Sequence, residues 1–122
     1  MLRSKAGIFL GLLILVFASA AWAGSAKKSV EDVYKEKTQL KGKQVTVRGK
    51  VVKVNNGIMK RNFLHIQDGS GGKGTNDLTV TSKQTAEVGD DITITGTVVL
   101  DTDFGFGYKY PLLVENSKIE KH

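Results

Sequence analysis

Aromatic and basic side chains are concentrated in two stretches of the chain. The first stretch, KRNFLH, covers residues 60–65, and the second, FGFGY, covers residues 104–108. An aromatic ring can stack on a nucleic-acid base, and a neighbouring lysine or arginine can hold a backbone phosphate. Each such stack contributes about 1–3 kcal/mol to binding. The two stretches therefore predict a binding surface for single-stranded nucleic acid or for another extended anionic polymer.

Catalytic and metal-binding motifs are missing from the sequence. The chain has no cysteine, which excludes a disulfide framework, a thiolate metal site and a cysteine nucleophile. It has no His-Glu-x-x-His motif and no recognisable Ser/His/Asp spacing. Asp101 and Asp103 could touch Ca²⁺, but the other ligands of an EF-hand loop are absent. We therefore predict a non-enzymatic protein with no metal or other cofactor.

The first 23 residues have the pattern of a secretory signal peptide. Arg3 and Lys5 precede an apolar run over residues 6–21, and Ala-Trp-Ala at residues 21–23 supplies the small residues that an export peptidase reads. The apolar run is short for a membrane span, which needs about 20 residues. We expect cleavage after Ala23, no stable membrane span afterwards, and an exported protein that is periplasmic in a Gram-negative bacterium. An uncleaved anchor is the alternative.

The remainder is expected to form one small domain. The whole chain carries 18 Lys and Arg against 12 Asp and Glu, and two of the basic residues lie in the signal peptide. The surplus of positive charge that remains is compatible with an anionic partner but does not require one. Without disulfides, a domain of this size depends on core packing alone for its stability.

Residues 24–43 are predicted to hold a flexible start, GSAKK, and then a short surface helix. Ser29 is a plausible N-cap with Asp32 in the capping-box position, and Gly42 ends the helix. Helical spacing places four apolar residues on one side of the helix. These are Val30, Val33, Tyr34 and Leu40.

From residue 44 onwards the apolar residues alternate, which is typical of strands. Gly49 predicts a bulge or corner, after which the inward face of the first strand switches. Asn55-Asn56-Gly57 predicts a hairpin turn. Residues 68–74 predict a mobile glycine-rich connector. Pro111 predicts that the last strand lies at an edge or is bulged near its start. The five predicted strands are residues 44–54, 62–67, 77–81, 92–100 and 108–119.

The strand pattern resembles the OB-fold nucleic-acid-binding superfamily. The resemblance lies in VTVRGKVVKV, FLHIQDGSG, DLTV and VGDDITITGTV, and the most similar pattern is the anticodon-binding OB domain of class II aminoacyl-tRNA synthetases. The chain also resembles small exported bacterial OB-fold proteins described as DNA- or nucleotide-binding. The resemblance implies an all-β, five-stranded Greek-key barrel over residues 44–120. Only nine residues are available where many OB barrels have a helix between strands three and four, so the N-terminal helix is expected to cover the barrel bottom instead.

The resemblance also implies a ligand-binding face over strands two and three. Phe63 occupies the position of the aromatic residue that stacks on a base, and alternation places it opposite Leu64 and Ile66, so we expect it to be exposed. The other residues expected at this face or its rim are His65, Arg48, Lys60, Arg61, Thr79, Thr81, Phe104, Phe106 and Tyr108. Phe104 and Phe106 could instead fold back as core plugs.

A second hypothesis assigns the same face to a different partner. Nucleic acid is scarce outside the cell, so the face could dock an envelope or redox protein, or an oligosaccharide. The fold is compatible with either partner, because OB barrels bind nucleic acids, sugars and proteins.

Overall fold

The computed structural model describes residues 24–122, and the predicted signal peptide lies outside the described residues. In chain order the elements are β1 (Ser25–Lys27), α1 (Val30–Lys35), α2 (Lys37–Leu40), β2 (Gln44–Ile58), β3 (Arg61–Gln67), β4 (Leu78–Ser82), β5 (Asp91–Asp103) and β6 (Lys109–Lys121). None of the helices between residues 24 and 122 has the length and apolar character needed to cross a membrane.

Five strands close into a barrel. Their order is β2-β3-β4-β6-β5, and β2 also pairs with β5, which completes the ring. All neighbours are antiparallel except β4 and β6, which are parallel. This arrangement is the Greek-key topology of an OB-type barrel, and it agrees with the prediction of an all-β, OB-like fold. The strand count differs, because Ser25–Lys27 pairs in parallel with Gln44–Thr46 where the sequence predicted a flexible start.

The barrel interior is filled by aliphatic side chains from every strand of the ring. Two short helices form where one was predicted, and their residues Val30, Val33 and Leu40 belong to the same buried cluster, so both helices pack against the barrel core. No helix forms between β4 and β5. The connector is held instead by Gln84, whose side-chain oxygen accepts a hydrogen bond from the amide of Ile119 at 2.8 Å.

The bend of β2 lies beyond the position predicted for it. Val45, Val47 and Val51 all point into the barrel, so the inward face does not switch at Gly49. The pairing with β3 first shifts between Val51 and Lys53, and it shifts again between Asn55 and Ile58. Gly49 is favoured for a different reason, since a Cβ atom there would lie 3.0 Å from the carbonyl oxygen of Gln67, a tight contact that the neighbouring strand would have to relieve.

The hairpin turn between β2 and β3 also differs from the prediction. Residues 55–57 remain in β2, where the register with β3 is irregular, and the Gly57 amide donates to the side chain of Asn62 at 3.0 Å. The chain reverses at Met59 and Lys60, whose φ angles of 52° and 62° are left-handed. Two left-handed residues between paired strands match a type I′ turn, which usually contains Asn-Gly. Here two non-glycine residues adopt it at a cost in backbone strain.

The glycine-rich segment after β3 is anchored at its start and is not a free connector there. A carboxylate oxygen of Asp68 accepts the Val30 amide at 2.9 Å, and the Ser70 hydroxyl accepts the Glu31 amide at 3.0 Å. The predicted capping box between Ser29 and Asp32 is also present. Burial alone would raise the pKa of Asp68, but hydrogen bonds from Ser70 and from the Val30 amide outweigh it and lower the pKa.

Candidate ligand-binding face

The outer surface of β3 and β4 is where the resemblance places a ligand. Strand pairing sets Phe63 opposite Thr81 and His65 opposite Thr79. Because side chains alternate along a strand, these four residues share the face opposite Leu64, which is buried in the barrel. The structure therefore places these predicted site residues side by side, although it does not expose all of them.

Phe63 is buried, which contradicts the expectation that it is exposed. Only 2% of its surface is accessible. The ring of Tyr110 stacks on it at a centroid distance of 5.5 Å, and the ring of Phe104 packs edge-on at 5.8 Å. Both residues belong to the end of the β5–β6 hairpin, which lies over the outer face. Alternation indicates which side of a strand a residue takes, but not whether a distant segment covers that side.

Tyr110 is a member of this aromatic cluster that the sequence reasoning missed. It stands two residues after Tyr108 in the motif YKY, so alternation along the strand would have placed it on the same side as Tyr108. Burial raises the pKa of Tyr110, and the neighbouring Tyr108 adds to the shift. The cluster of Phe63, Phe104 and Tyr110 is called the aromatic cluster below.

Arg61 borders the aromatic cluster and is held on three sides. Its guanidinium carbon lies 4.9 Å from the centre of the Phe104 ring, within the range of a cation–π contact. Its Nε and Nη2 atoms each lie 3.2 Å from a Glu115 carboxylate oxygen, and Nη1 donates to the Met59 carbonyl at 3.1 Å. The positive charge predicted at this rim is therefore balanced by an internal carboxylate.

The two threonines of β4 are buried as well, contrary to the exposure expected for them. Thr79 is 8% accessible and Thr81 is fully buried. The Thr81 hydroxyl donates to the carboxylate of Glu115 and accepts the Asn116 amide at 3.0 Å. Glu115 thus links Arg61 to Thr81, and sequence reasoning missed it because nothing in its local pattern distinguishes it from other strand carboxylates.

His65 is engaged by Asp77 rather than free. Its Nδ1 atom lies 2.7 Å from one Asp77 carboxylate oxygen, and Gln67 donates to the other at 3.2 Å. The Tyr34 hydroxyl donates to the Asp77 carbonyl at 2.5 Å, and burial raises the pKa of Tyr34. Over residues 24–122, no group of three or more His, Cys, Asp or Glu side chains is arranged to hold a metal ion.

Arg48 does not belong to this face. It lies on the part of β2 that pairs with β5, where its Nε and Nη2 atoms donate to the two carboxylate oxygens of Asp91 at 3.1 and 2.8 Å. These hydrogen bonds lower the pKa of Asp91. The sequence placed Arg48 on the outside of its strand correctly, but β2 is long and bent, so outward residues at its two ends face different surroundings.

The tip of the β5–β6 hairpin presents exposed aromatic rings. Phe106 is 97% accessible and Tyr108 is 40% accessible, whereas Phe104 packs into the aromatic cluster. Neither residue is a core plug, because Phe104 folds back onto the outer face and not into the barrel interior, and Phe106 is exposed. Phe106 also has a left-handed φ of 54° and stands between two left-handed glycines, Gly105 and Gly107.

A cleft of about 390 Å³ opens beside the β2–β3 turn. It is lined by basic residues of the turn and of the β4–β5 connector, together with polar residues of β4 and β6. Those that matter for its chemistry are Lys60, Arg61, Thr81, Lys83, Glu115 and Asn116. Lys60 and Lys83 are exposed and form no ion pair with any residue from 24 to 122.

Comparison with solved structures supports the fold. A protein assigned as an aspartyl-tRNA synthetase of Leishmania major Friedlin aligns with a TM-score of 0.56 and 14% identity, over 79% of this chain and 20% of that one. A chain of the S. pombe Stn1–Ten1 complex aligns with a TM-score of 0.47 and 12% identity, over 65% of this chain and 57% of that one, and this score is too low to support an argument. No protein-family model and no curated protein matches the chain.

The first of these similarities supports an OB-type barrel and nothing more specific. This chain spans about a fifth of the synthetase chain and little more than half of the other. At such low identity the similarity concerns the path of the backbone. A shared backbone path does not determine function, which depends on the side chains of the outer face.

Proposed function

We propose that this chain is an exported, non-enzymatic OB-fold protein that binds single-stranded nucleic acid at the outer face of β3 and β4 and the tip of the β5–β6 hairpin. The fold supports the proposal, because OB barrels commonly bind oligonucleotides across these strands. The similar backbone of a protein whose name specifies a tRNA substrate is in keeping with it.

The observation that carries the proposal is the conformation of Phe106. An aromatic ring that is almost fully exposed gains nothing from burial, and a left-handed φ at a non-glycine residue costs further free energy. Nothing within residues 24–122 packs on this ring to offset these costs. A base that stacks on Phe106 would remove its apolar surface from water.

The structure changes the roles that the sequence suggested for the aromatic residues. Phe63 is covered and supports Phe104 and Tyr110 from below. The stacking surface is instead formed by Phe106 and Tyr108, which the hairpin holds beside the face. The exposed ammonium groups of Lys60 and Lys83 supply positive charge for phosphates.

Binding of a fluorescein-labelled oligothymidylate, measured by fluorescence anisotropy at low salt, tests the proposal. We expect Phe106→Ala to weaken binding by about tenfold, which corresponds to the loss of one stacked base. Val88→Ala is the matched control, because Val88 is also an exposed apolar residue, 66% accessible, but lies in the connector before β5. We also expect the affinity to fall as salt is raised.

Two results would contradict the proposed ligand. One is the absence of oligonucleotide binding at low salt by the folded wild-type protein. The other is binding that Phe106→Ala and Val88→Ala leave equally unchanged. Export is tested separately by sequencing the N-terminus of the protein recovered from producing cells: a chain that starts at Gly24 supports it, and one that retains residues 1–23 contradicts cleavage.

A protein partner is the second candidate, and the internal pairing of the basic residues favours it. Arg61 and Arg48 are each occupied by a carboxylate, so less positive charge is free than the sequence suggested. A single exposed ring on a hairpin tip can also act as an anchor in a protein pocket. A pull-down that captures one envelope protein in stoichiometric amount would support this candidate over nucleic acid. The capture should be unaffected by nuclease treatment and should be abolished by Phe106→Ala.

A further inference from the structure

The cleft beside the β2–β3 turn has the composition of an anion site. Lys60, Arg61 and Lys83 supply three cationic groups around a concave volume of about 390 Å³. Glu115 is the only carboxylate among its lining residues. The cleft therefore keeps a surplus of positive charge, even with Arg61 paired to Glu115.

The carboxylate of Glu115 already accepts hydrogen bonds from the groups that would donate to a bound anion. Its carboxylate accepts hydrogen bonds from Arg61 and from the hydroxyl of Thr81, and its side chain is 19% exposed. A guanidinium paired with a hydroxyl is a donor set that suits a phosphate group as well as a carboxylate. The carboxylate of Glu115 thus lies where a phosphate oxygen would receive the same hydrogen bonds.

We propose that this cleft is a subsite for one phosphate group and that Glu115 is its internal competitor. When a phosphate enters, it is held by the free ammonium groups of Lys60 and Lys83 and displaces Glu115 from the guanidinium of Arg61. The inference rests on the proposed function, since it assigns the phosphate to the bound oligonucleotide. It adds a residue that limits affinity, because the phosphate gains Arg61 only by breaking an existing ion pair.

Removal of the competing charge tests this directly. We expect Glu115→Gln to bind oligothymidylate about three- to tenfold more tightly at low salt, because Arg61 becomes available to the phosphate. Glu120→Gln is the matched control, because it removes the same charge from the same strand, and Glu120 is not among the residues that line this cleft.

A second variant covers the case in which Glu115→Gln fails to fold, as judged by circular dichroism. Lys60→Gln with Lys83→Gln changes only exposed side chains, and we expect it to weaken binding and to make the salt slope shallower by about 0.7, the value for the loss of one phosphate contact. Lys37→Gln with Lys118→Gln removes the same charge from exposed positions outside the cleft and is its control. Equal effects of the two double variants would overturn the subsite.

A titration with inorganic pyrophosphate separates this inference from the proposed function. Amide signals of Lys60, Thr81 and Asn116 are followed by NMR in the wild type and in Glu115→Gln. If no oligonucleotide binds but these signals shift, and more readily in Glu115→Gln, the anion site stands and the proposed function fails. If oligonucleotide binds and Glu115→Gln behaves like Glu120→Gln, the competitor role fails and the proposed function stands. If neither ligand binds, both fail.

Discussion

The inner face of β3 is fully buried and the outer face is covered in part, and the two are covered by different means. On the inner face Leu64 and Ile66 pack among aliphatic side chains contributed by the whole barrel. On the outer face Phe63 is covered by two aromatic rings of a hairpin tip, and His65 is covered in part through its contact with Asp77. The inner face depends on closure of the barrel, whereas the outer face depends on one hairpin end and a few directed contacts.

This difference indicates which face can adapt to a ligand. Close-packed aliphatic cores resist rearrangement, because each displaced side chain leaves a void or a clash. The aromatic cluster is bounded by a tip in which Gly105, Phe106 and Gly107 have left-handed φ angles, and Phe106 itself makes no apolar packing contact there. We expect local opening to be less costly at the tip than anywhere in the barrel.

A substitution on the inner face of β3 is expected to cause the largest loss of stability. Leu64→Ala should lower the free energy of unfolding by about 4 kcal/mol, because it removes a fully buried side chain and leaves a cavity. Urea denaturation followed by circular dichroism measures the change. A loss below about 1 kcal/mol would show that the barrel refills the space, and would weaken the contrast between the faces.

On the outer face, Phe63→Ala should lower the free energy of unfolding by about 3 kcal/mol, because the ring is enclosed by Phe104 and Tyr110. Urea denaturation measures this change as well. Had Phe63 been exposed, the loss would be about 0.5 kcal/mol or less. Phe106→Ala is the control, since it removes the same side chain from the exposed tip. Equal, small effects of both substitutions would show that the hairpin tip does not cover the face in solution.

The end of β3 should show a pH-dependent contribution. The pKa of Asp68 is lowered in the folded state, so its carboxylate stabilises the fold above its ordinary pKa of 3.8, and this stability is lost as pH falls through the folded-state pKa. We expect Asp68→Asn to cost about 1–2 kcal/mol at pH 7, because Val30 and Ser70 amides lose a charged acceptor.

Thermal melts from pH 7 to pH 2 measure this contribution. The difference between wild type and Asp68→Asn should shrink progressively as the pH falls below about 4, because the carboxylate is protonated first in the unfolded chain and only at lower pH in the folded one. Asp103→Asn is the control, because Asp103 is an exposed carboxylate whose side chain accepts one amide at the hairpin tip. A difference between wild type and Asp68→Asn that stays constant over the whole range would contradict the role given to Asp68.

The smallest change in stability is expected for substitutions in the β2–β3 turn, which should make the fold more stable. Met59→Asn with Lys60→Gly introduces the residues that a type I′ turn favours, and should stabilise the fold by about 1 kcal/mol by relieving two left-handed non-glycine residues. Binding of oligothymidylate should weaken at the same time, since the variant lacks one cleft ammonium group. A loss of stability would show that the turn is held by side-chain contacts and not by its backbone preference.

The sequence predicts the fold well because the periodicity of the interior is a local property. The alternation around Val45, Val47, Leu64 and Ile66 identifies the inward residues, and the order of the strands restricts the topology to a few barrels. The position of the β2–β3 turn was wrong, because Asn-Gly is the stronger local signal and tertiary pairing kept residues 55–57 in the strand.

The site is predicted less well because its contacts are between distant parts of the chain. Phe63 and Tyr110 meet only after the barrel has closed, as do Thr81 and Glu115. Arg61 is identified as a rim residue, but its charge partner cannot be read from the stretch that contains it. Residue type and strand phase thus predict which side of its strand a residue takes, while its neighbours, its exposure and its charge partner depend on contacts that no local pattern encodes.

The closure between β2 and β5 also has a consequence for how the chain folds. The β2–β3 and β5–β6 pairs are hairpins between neighbouring segments, whereas Gln44–Lys50 must find Asp91–Thr97 across most of the domain. Contacts between distant segments carry a large loop-closure entropy and slow the formation of a fold. We expect the two hairpins to form first and ring closure to limit the rate. A substitution in Val47 or Ile94, which pair across that closure, would then slow refolding more than an equally destabilising change at the hairpin tip.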